Sequence, residues 1–142
     1  MSFWDQSYSA VDGSKYGEAP NAFLREQAAR LEAGSRILVP GDGEGRNGVW
    51  LAEQGHAVQS VDSSAVGLAR ARELAQRRGV NLYTVQADLA SWQPEPASVD
   101  AVVLIYLHLP PALRPAVHAK LVQALKPGGL LLLETFHPKQ LG

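Results

Sequence analysis

Five short apolar runs, spaced along the chain and joined by helical or turn-forming sequence, limit what this protein can fold into. They are Ile37-Leu38-Val39, then residues 56–61, 81–85 and 99–104, and finally Leu130-Leu131-Leu132-Leu133. Runs that are apolar throughout, rather than at every second position, suit strands buried on both faces. That is the habit of parallel sheets covered by helices above and below. The intervening sequence supplies the helices. Residues 45–54 carry Val49, Leu51 and Ala52 and close at Gly55. Ser63 or Ser64 can cap a helix that runs through Leu68 and Leu74 to Arg78, with Gly79 as its terminator. Pro110-Pro111 open another, with Val117, Leu121 and Leu125 on its apolar side, and Lys126-Pro127-Gly128-Gly129 end it in a tight turn. Ahead of them all, Pro20 stands in the first turn of a helix bearing Phe23, Leu24, Ala28 and Leu31 that stops at Gly34. The pattern reads as an α/β domain, a doubly wound parallel five-stranded sheet, with residues 1–142 as one unit.

Composition removes several function classes. With 142 residues and a net charge of -1, the chain has no basic excess to favour nucleic acid or a membrane surface. It has no cysteine, so thiolate metal sites and a thiol nucleophile are excluded. No His/Asp/Glu cluster has metal-ligand spacing, and no metal is expected. The first residues lack a signal peptide's apolar core, and no run approaches the ~20 apolar residues of a membrane span, so the expected location is cytoplasmic. Residues 1–19 form an aromatic arm, with Phe3, Trp4, Tyr8 and Tyr16 among polar residues and few aliphatics. Such aromatics must lie on the domain or on a ligand.

In doubly wound sheets the ligand sits beyond the carboxyl ends of the strands, where strand order reverses. Four features meet there: Pro40-Gly41-Asp42-Gly43-Glu44-Gly45-Arg46-Asn47 after the first strand, Asp62 after the second, Asp88 after the third, and Ile105-Tyr106 after the fourth. Glycines let the backbone turn and approach a ligand closely, and the helix that follows aims free N–H groups at it. A carboxylate after the second strand can accept both hydroxyls of a ribose. Residues 43–48 also satisfy G-x-G-x-x-G, with Asp62 near the distance expected for NAD. Against NAD, Asp42 and Glu44 put negative charge where a pyrophosphate would sit, a charge that suits a cationic ligand instead.

Taken in order, these residues resemble the class I S-adenosylmethionine-dependent methyltransferases, in particular the small bacterial group related to tellurite-resistance and thiopurine methyltransferases. The resemblance runs through Trp4-Asp5-x-x-Tyr8, Tyr16-Gly17-x-x-Pro20-Asn21-x-Phe23-Leu24, the glycine loop into Trp50-Leu51-Ala52, Val61-Asp62-x-Ser64, Ala87-Asp88-Leu89 and Leu125-Lys126-Pro127-Gly128-Gly129. It implies a Rossmann-like sheet and S-adenosylmethionine as cofactor, with S-adenosylhomocysteine as product. Pro40, Gly41, Asp42, Gly43 and Gly45 would then approach the methionine and ribose parts, Asp62 would hold the ribose hydroxyls, and Ser63 would lie beside the adenine. Asp88 would accept from the adenine N6 amine with Leu89 near the ring, and Ile105 would line the methionine side. Trp4 and Tyr16 would close over the sulfonium, which aromatic faces attract.

The chain departs from the family twice. Val39 stands where the wider superfamily has an acid, so the methionine amine needs another partner: a backbone carbonyl, Asp42 or a water. The terminal antiparallel strand pair that follows the fifth strand in the family is lacking here, which leaves that strand as an apolar edge. A homodimer, or a higher oligomer, built on that edge is expected. For chemistry, Tyr106, His108 and His137 fall on the catalytic edge as candidate substrate-side groups, while His56 and His118 read as structural. Arg46 and Asn47 read as residues that orient the loop or the arm. The expected activity is methyl transfer to a small-molecule acceptor. A binding module without transferase activity and an NAD-binding domain stay open as alternatives.

Overall fold

Residues 20–105, 107 and 109–134 are described by a computed structural model. Its strands are β1 (Arg36–Pro40), β2 (Ala57–Asp62), β3 (Tyr83–Gln86), β4 (Val99–Ile105) and β5 (Leu125–Glu134). They form one sheet in the order β3-β2-β1-β4-β5, with every pairing parallel. The chain winds outward from β1 through β2 to β3, then returns to the other side of β1 for β4. Strand order therefore reverses between β1 and β4, and the segments following those two strands flank the crevice there.

The helices are α1 (Ala22–Gln27), α2 (Arg46–Glu53), α3 (Ala65–Arg78) and α4 (Arg114–Ala124). Within β1, Ile37 and Val39 pack with Leu24, Leu51, Ala101, Val103 and Leu132, while Leu38 packs with Val61, Val102, Leu104, Val117 and Leu121. Both faces of β1 and β4 are buried, which is why those two read as solid apolar runs, whereas the outer strands β3 and β5 bury much less. Helix ends follow their local chemistry. Ser64 Oγ accepts from Gly67 N at 3.0 Å to start α3, and Gly79, at φ 70°, closes it.

Three elements differ from their sequence-based expectation. Helix α1 has six residues and passes into a 3-10 turn (Ala28–Arg30), so Gly34 (φ 71°) serves a later turn. Its cap is Asn21, whose Oδ1 accepts from Leu24 N at 3.1 Å. Helix α4 starts at Arg114 rather than at the prolines. Pro111 drives Pro110 towards extended backbone, and Pro115 occupies the first turn, where no N–H is needed. Strand β5 begins at Leu125, before the Lys126-Pro127-Gly128-Gly129 turn. Val99 pairs with Leu125 and Ala101 with Leu130, so the four turn residues bulge opposite Asp100. Asp100 secures this corner, accepting from Arg36 N at 2.8 Å and lying 3.5 Å from Lys126 Nζ. Those contacts, the Arg36 N–H foremost, hold its carboxyl below the usual carboxylate range.

Strand β5 is the sheet's outer strand on this side. Leu131 and Leu133 pair in register with Val102 and Leu104, on the face that α4 covers over β4, yet they are 37% and 43% exposed.

Candidate functional site

The glycine loop leaves β1 with Gly41 N donating to Val61 O at 2.6 Å, then takes left-handed backbone at Gly41 (φ 68°), Gly43 (φ 60°) and Gly45 (φ 86°). Left-handed backbone at three alternate positions is what glycine adopts at least cost. Their missing side chains serve different neighbours. A Cβ on Gly41 would lie 2.5 Å from Leu107 Cδ1, whereas one on Gly45 would lie 2.6 Å from Ala71 Cβ and 2.9 Å from its Cα. Gly45 thus makes room for α3, and Gly41 makes room for the segment after β4.

Asp62 ends β2 and is 8% exposed. Its Oδ2 accepts from Gly43 N and its Oδ1 from Ser64 N, both at 2.9 Å. The carboxylate is fixed between the loop and the start of α3. Ala87 N donates to Asp62 O at 3.0 Å, which sets Asp88 just beyond the neighbouring strand end. Asp88 is exposed and organises a turn: its Oδ1 accepts from Ala90 N at 2.9 Å, and its carbonyl accepts from Ser91 N at 3.1 Å and Trp92 N at 2.9 Å. Ser63 is exposed between the two acids, Leu89 and Ile105 are half-buried, and Pro40 is buried at the end of β1.

Both loop acids, read from the sequence as negative charge in the ligand's path, are engaged with neighbouring elements. Glu44, 5% exposed, is 2.8 Å from Arg70 Nη1 on α3. Asp42 turns to β2 and α2, where Ser60 Oγ donates to its Oδ2 at 2.6 Å and Gly48 N donates at 3.2 Å. A Cβ on Gly48 would collide with that carboxylate. Burial, reinforced by the nearby Asp62 charge, pushes Asp42 up to about 6 against the opposing pull of Ser60, Gly48 and Arg46. With Glu44 paired and Asp42 turned inward, charge in the loop no longer separates a phosphate ligand from a cationic one.

His56 accepts from Ser35 N at Nδ1, 3.1 Å away, and burial lowers its pKa, which fits a structural role. Asn47 Oδ1 accepts from Asn21 N at 2.8 Å, tying the head of α2 to the cap of α1. Trp4, Tyr16, Tyr106, His108 and His137 lie outside the described residues. Among the described residues no group of three or more His, Cys, Asp or Glu side chains is placed to hold a metal ion. Sequence reasoning passed over Ser60, Arg70, Leu107 and Lys120. Ser60 did carry a signal, because a serine within an otherwise buried strand needs a partner.

Residues 37–129 match the family described as methyltransferase domain. The chain belongs to that family. Its strand order and glycine loop are those of the class I, S-adenosylmethionine-dependent methyltransferases, and S-adenosylmethionine is the cofactor that goes with this domain. The tRNA 5-carboxymethoxyuridine methyltransferase of Escherichia coli (strain K12) is 31% identical over 134 residues, a match covering 87% of this chain and 50% of the relative. The chain therefore spans about half the length of the curated relatives it matches. An S-adenosylmethionine-dependent methyltransferase from Mesorhizobium loti superposes with a TM-score of 0.68 at 29% identity, over 83% of this chain and 55% of that one. A TehB-like S-adenosylmethionine-dependent methyltransferase from Corynebacterium glutamicum gives a TM-score of 0.67 at 24% identity, over 87% and 64%. That last likeness is one of fold.

Proposed function

We propose that this domain binds S-adenosylmethionine across the ends of β1, β2 and β3 and donates its methyl group to a small-molecule acceptor. The observation that carries the reading is the clamped Asp62 carboxylate. Gly43 N and Ser64 N each donate to one of its oxygens and fix its orientation at the end of β2, so a ribose diol would meet a pre-positioned carboxylate. Asp88, exposed on the adjoining strand end, suits the adenine N6 amine, with Ser63 and Leu89 beside the ring. Pro40, Gly41, Gly43 and Ile105 border the methionine side. Gly45 acts there through loop shape, because α3 fills the space beside it. Asp42 is engaged with Ser60 and Gly48, so a backbone carbonyl of the loop is the better partner for the methionine amine. Trp4 and Tyr16 would close over the sulfonium, and Tyr106, His108 and His137 would meet the acceptor.

Bound there, S-adenosylmethionine supplies an already activated methyl group. The protein then contributes proximity and orientation, with a base only where the acceptor carries a proton. The near-neutral net charge of -1 favours a small acceptor over a polyanion. The Escherichia coli relative is named for a tRNA substrate, which favours tRNA as the second reading. A homodimer that pairs the exposed β5 edge of two copies, and a cytoplasmic location, complete the proposal.

Calorimetric titration with S-adenosylhomocysteine and NAD tests the cofactor, and saturable binding of the first alone is expected. Binding of NAD alone overturns the reading. Methyl transfer is then assayed with thiols, selenite, tellurite, amines, phenols and bulk tRNA. Turnover on a small acceptor is expected, whereas turnover on tRNA alone moves the acceptor class. Cofactor binding with no turnover on any acceptor leaves a binding module.

A further inference from the structure

The connection between β3 and β4, residues 87–98, contains neither helix nor strand, yet it presents Asp88. Its order comes from α4. Lys120 Nζ donates to Leu89 O at 2.9 Å, Ala90 O at 3.2 Å and Trp92 O at 2.9 Å. At the far end of the connection, Ala97 N donates to Gln123 O at 2.9 Å and Ser98 N to Ala124 O at 2.8 Å. Helix α4 is held on the sheet by Val117, Leu121 and Ala124, all buried. It is therefore a rigid frame for an otherwise irregular segment.

The polarity of the turn is consistent along its length. Ala90 N donates to the Asp88 carboxylate and Ser91 N and Trp92 N to the Asp88 carbonyl, while the carbonyls of Leu89, Ala90 and Trp92 converge on the Lys120 ammonium. An acid at the donor end and a cation at the carbonyl end both stabilise such a turn. A lysine ammonium has three N–H donors, and three carbonyls take them. None is left to touch a substrate.

We propose that Lys120 is a positioning residue for adenine recognition: its ammonium clamps the 88–92 turn and so fixes Asp88 where the N6 amine binds. This rests on the cofactor reading above and adds to it a residue that makes no cofactor contact. The test compares S-adenosylhomocysteine with S-inosylhomocysteine, which has a carbonyl in place of the N6 amine. Affinities are measured for the wild type, Lys120→Met and Lys120→Arg. Lys120→Met keeps most of the apolar stem and removes the ammonium. It is expected to weaken S-adenosylhomocysteine about tenfold while leaving the inosyl analogue within about twofold, since the lost interaction is a single hydrogen bond to a charged group. Lys120→Arg, able to donate to the same carbonyls, should recover most of the loss. Equal weakening of both ligands, or no weakening of either, overturns the proposal. Amide hydrogen exchange without ligand gives a second readout: Ala90, Ser91 and Trp92 should exchange faster in Lys120→Met than in the wild type, and unchanged exchange overturns the clamp. A wild type that binds no S-adenosylhomocysteine refutes the cofactor reading, and the exchange result then decides whether Lys120 holds the turn.

Discussion

The two sides of the sheet are built differently. On the β1-β2-β3 side, polar groups near the strand ends have specific partners: Asp42 with Ser60, Glu44 with Arg70, and Asp62 with Gly43 and Ser64. On the β4-β5 side β4 is apolar and tightly packed, with Ala101, Val102 and Val103 wholly buried, β5 leaves Leu131 and Leu133 exposed, and the main polar cluster, Asp100 with Arg36 and Lys126, lies at the opposite end. On the first side, backbone N–H groups are held in place by glycine geometry and carboxylates. The second side supplies packing, and the groups it would offer an acceptor come after its strands. Damage to backbone geometry should accordingly be costly in the glycine loop after β1 and mild at Gly128, the open position of the β5 turn.

Two glycine substitutions give the sharpest contrast. Gly45→Ala combines left-handed backbone with a collision against Ala71, and should destabilise the fold by about 3–5 kcal/mol. Gly128→Ala, at φ 81° with no atom within 4 Å of the added Cβ, should cost about 1 kcal/mol. Urea unfolding of both variants checks the pair. Comparable losses would erase the distinction between the two sides.

Asp62→Ala comes next. It strips the acceptor from two N–H groups and should cost about 2 kcal/mol of stability. S-adenosylhomocysteine affinity should fall about a hundredfold, from loss of the ribose acceptor and loosening of the loop together. Calorimetry and thermal unfolding on the same variant separate the two effects. Retained affinity in a folded variant would break the assignment of the ribose to Asp62.

The place of Asp62 and Asp88 at strand ends was legible in the sequence because each is a lone acid closing an apolar stretch, and the parallel fold was legible because the runs of its central strands β1 and β4 are apolar on both faces. What holds the acids was not, since the partners come from distant positions. Ser60 is 18 residues from Asp42, Arg70 is 26 from Glu44, and Lys120 is 31 from Leu89. Local pattern reports that a strand end carries an acid. Only tertiary packing decides whether that acid stays exposed, like Asp88, or turns under the loop, like Asp42. The early start of β5 was hidden for the same reason: Leu125 joins the strand by pairing with Val99, across the β4-β5 register shift.

Asp42 offers a pH test confined to the first side. Its pKa in the fold, about 6, lies above the ordinary 3.8, so the folded state holds an extra proton between those values. The stability this proton supplies is complete below about pH 4 and is lost as pH rises through about 6. The loss is on the order of 2–3 kcal/mol. Asp42→Asn has no such proton to lose and should be more stable than the wild type at pH 8, with the advantage shrinking towards pH 4. His56 acts in the opposite sense, because a lowered pKa costs stability as pH falls through it. The difference between variant and wild type, measured by urea unfolding at each pH, cancels that contribution. A difference that does not vary with pH would mean that Asp42 keeps its charge in the fold.

A small stability effect belongs to the outer face of β5. Leu131 and Leu133 are more than a third exposed and a lysine stem can cover much of the same surface, so replacing both by lysine should cost the isolated chain only about 1 kcal/mol. Assembly should respond far more. Charge on an edge strand opposes pairing with another strand, and the double variant should run as a monomer in light scattering where the wild type runs as a dimer. A wild type that is already monodisperse and monomeric would remove the homodimer from the proposal. A variant that stays dimeric would move the interface away from β5. In either case the stability comparison stands, because it depends on the exposure of these two leucines and not on what covers them.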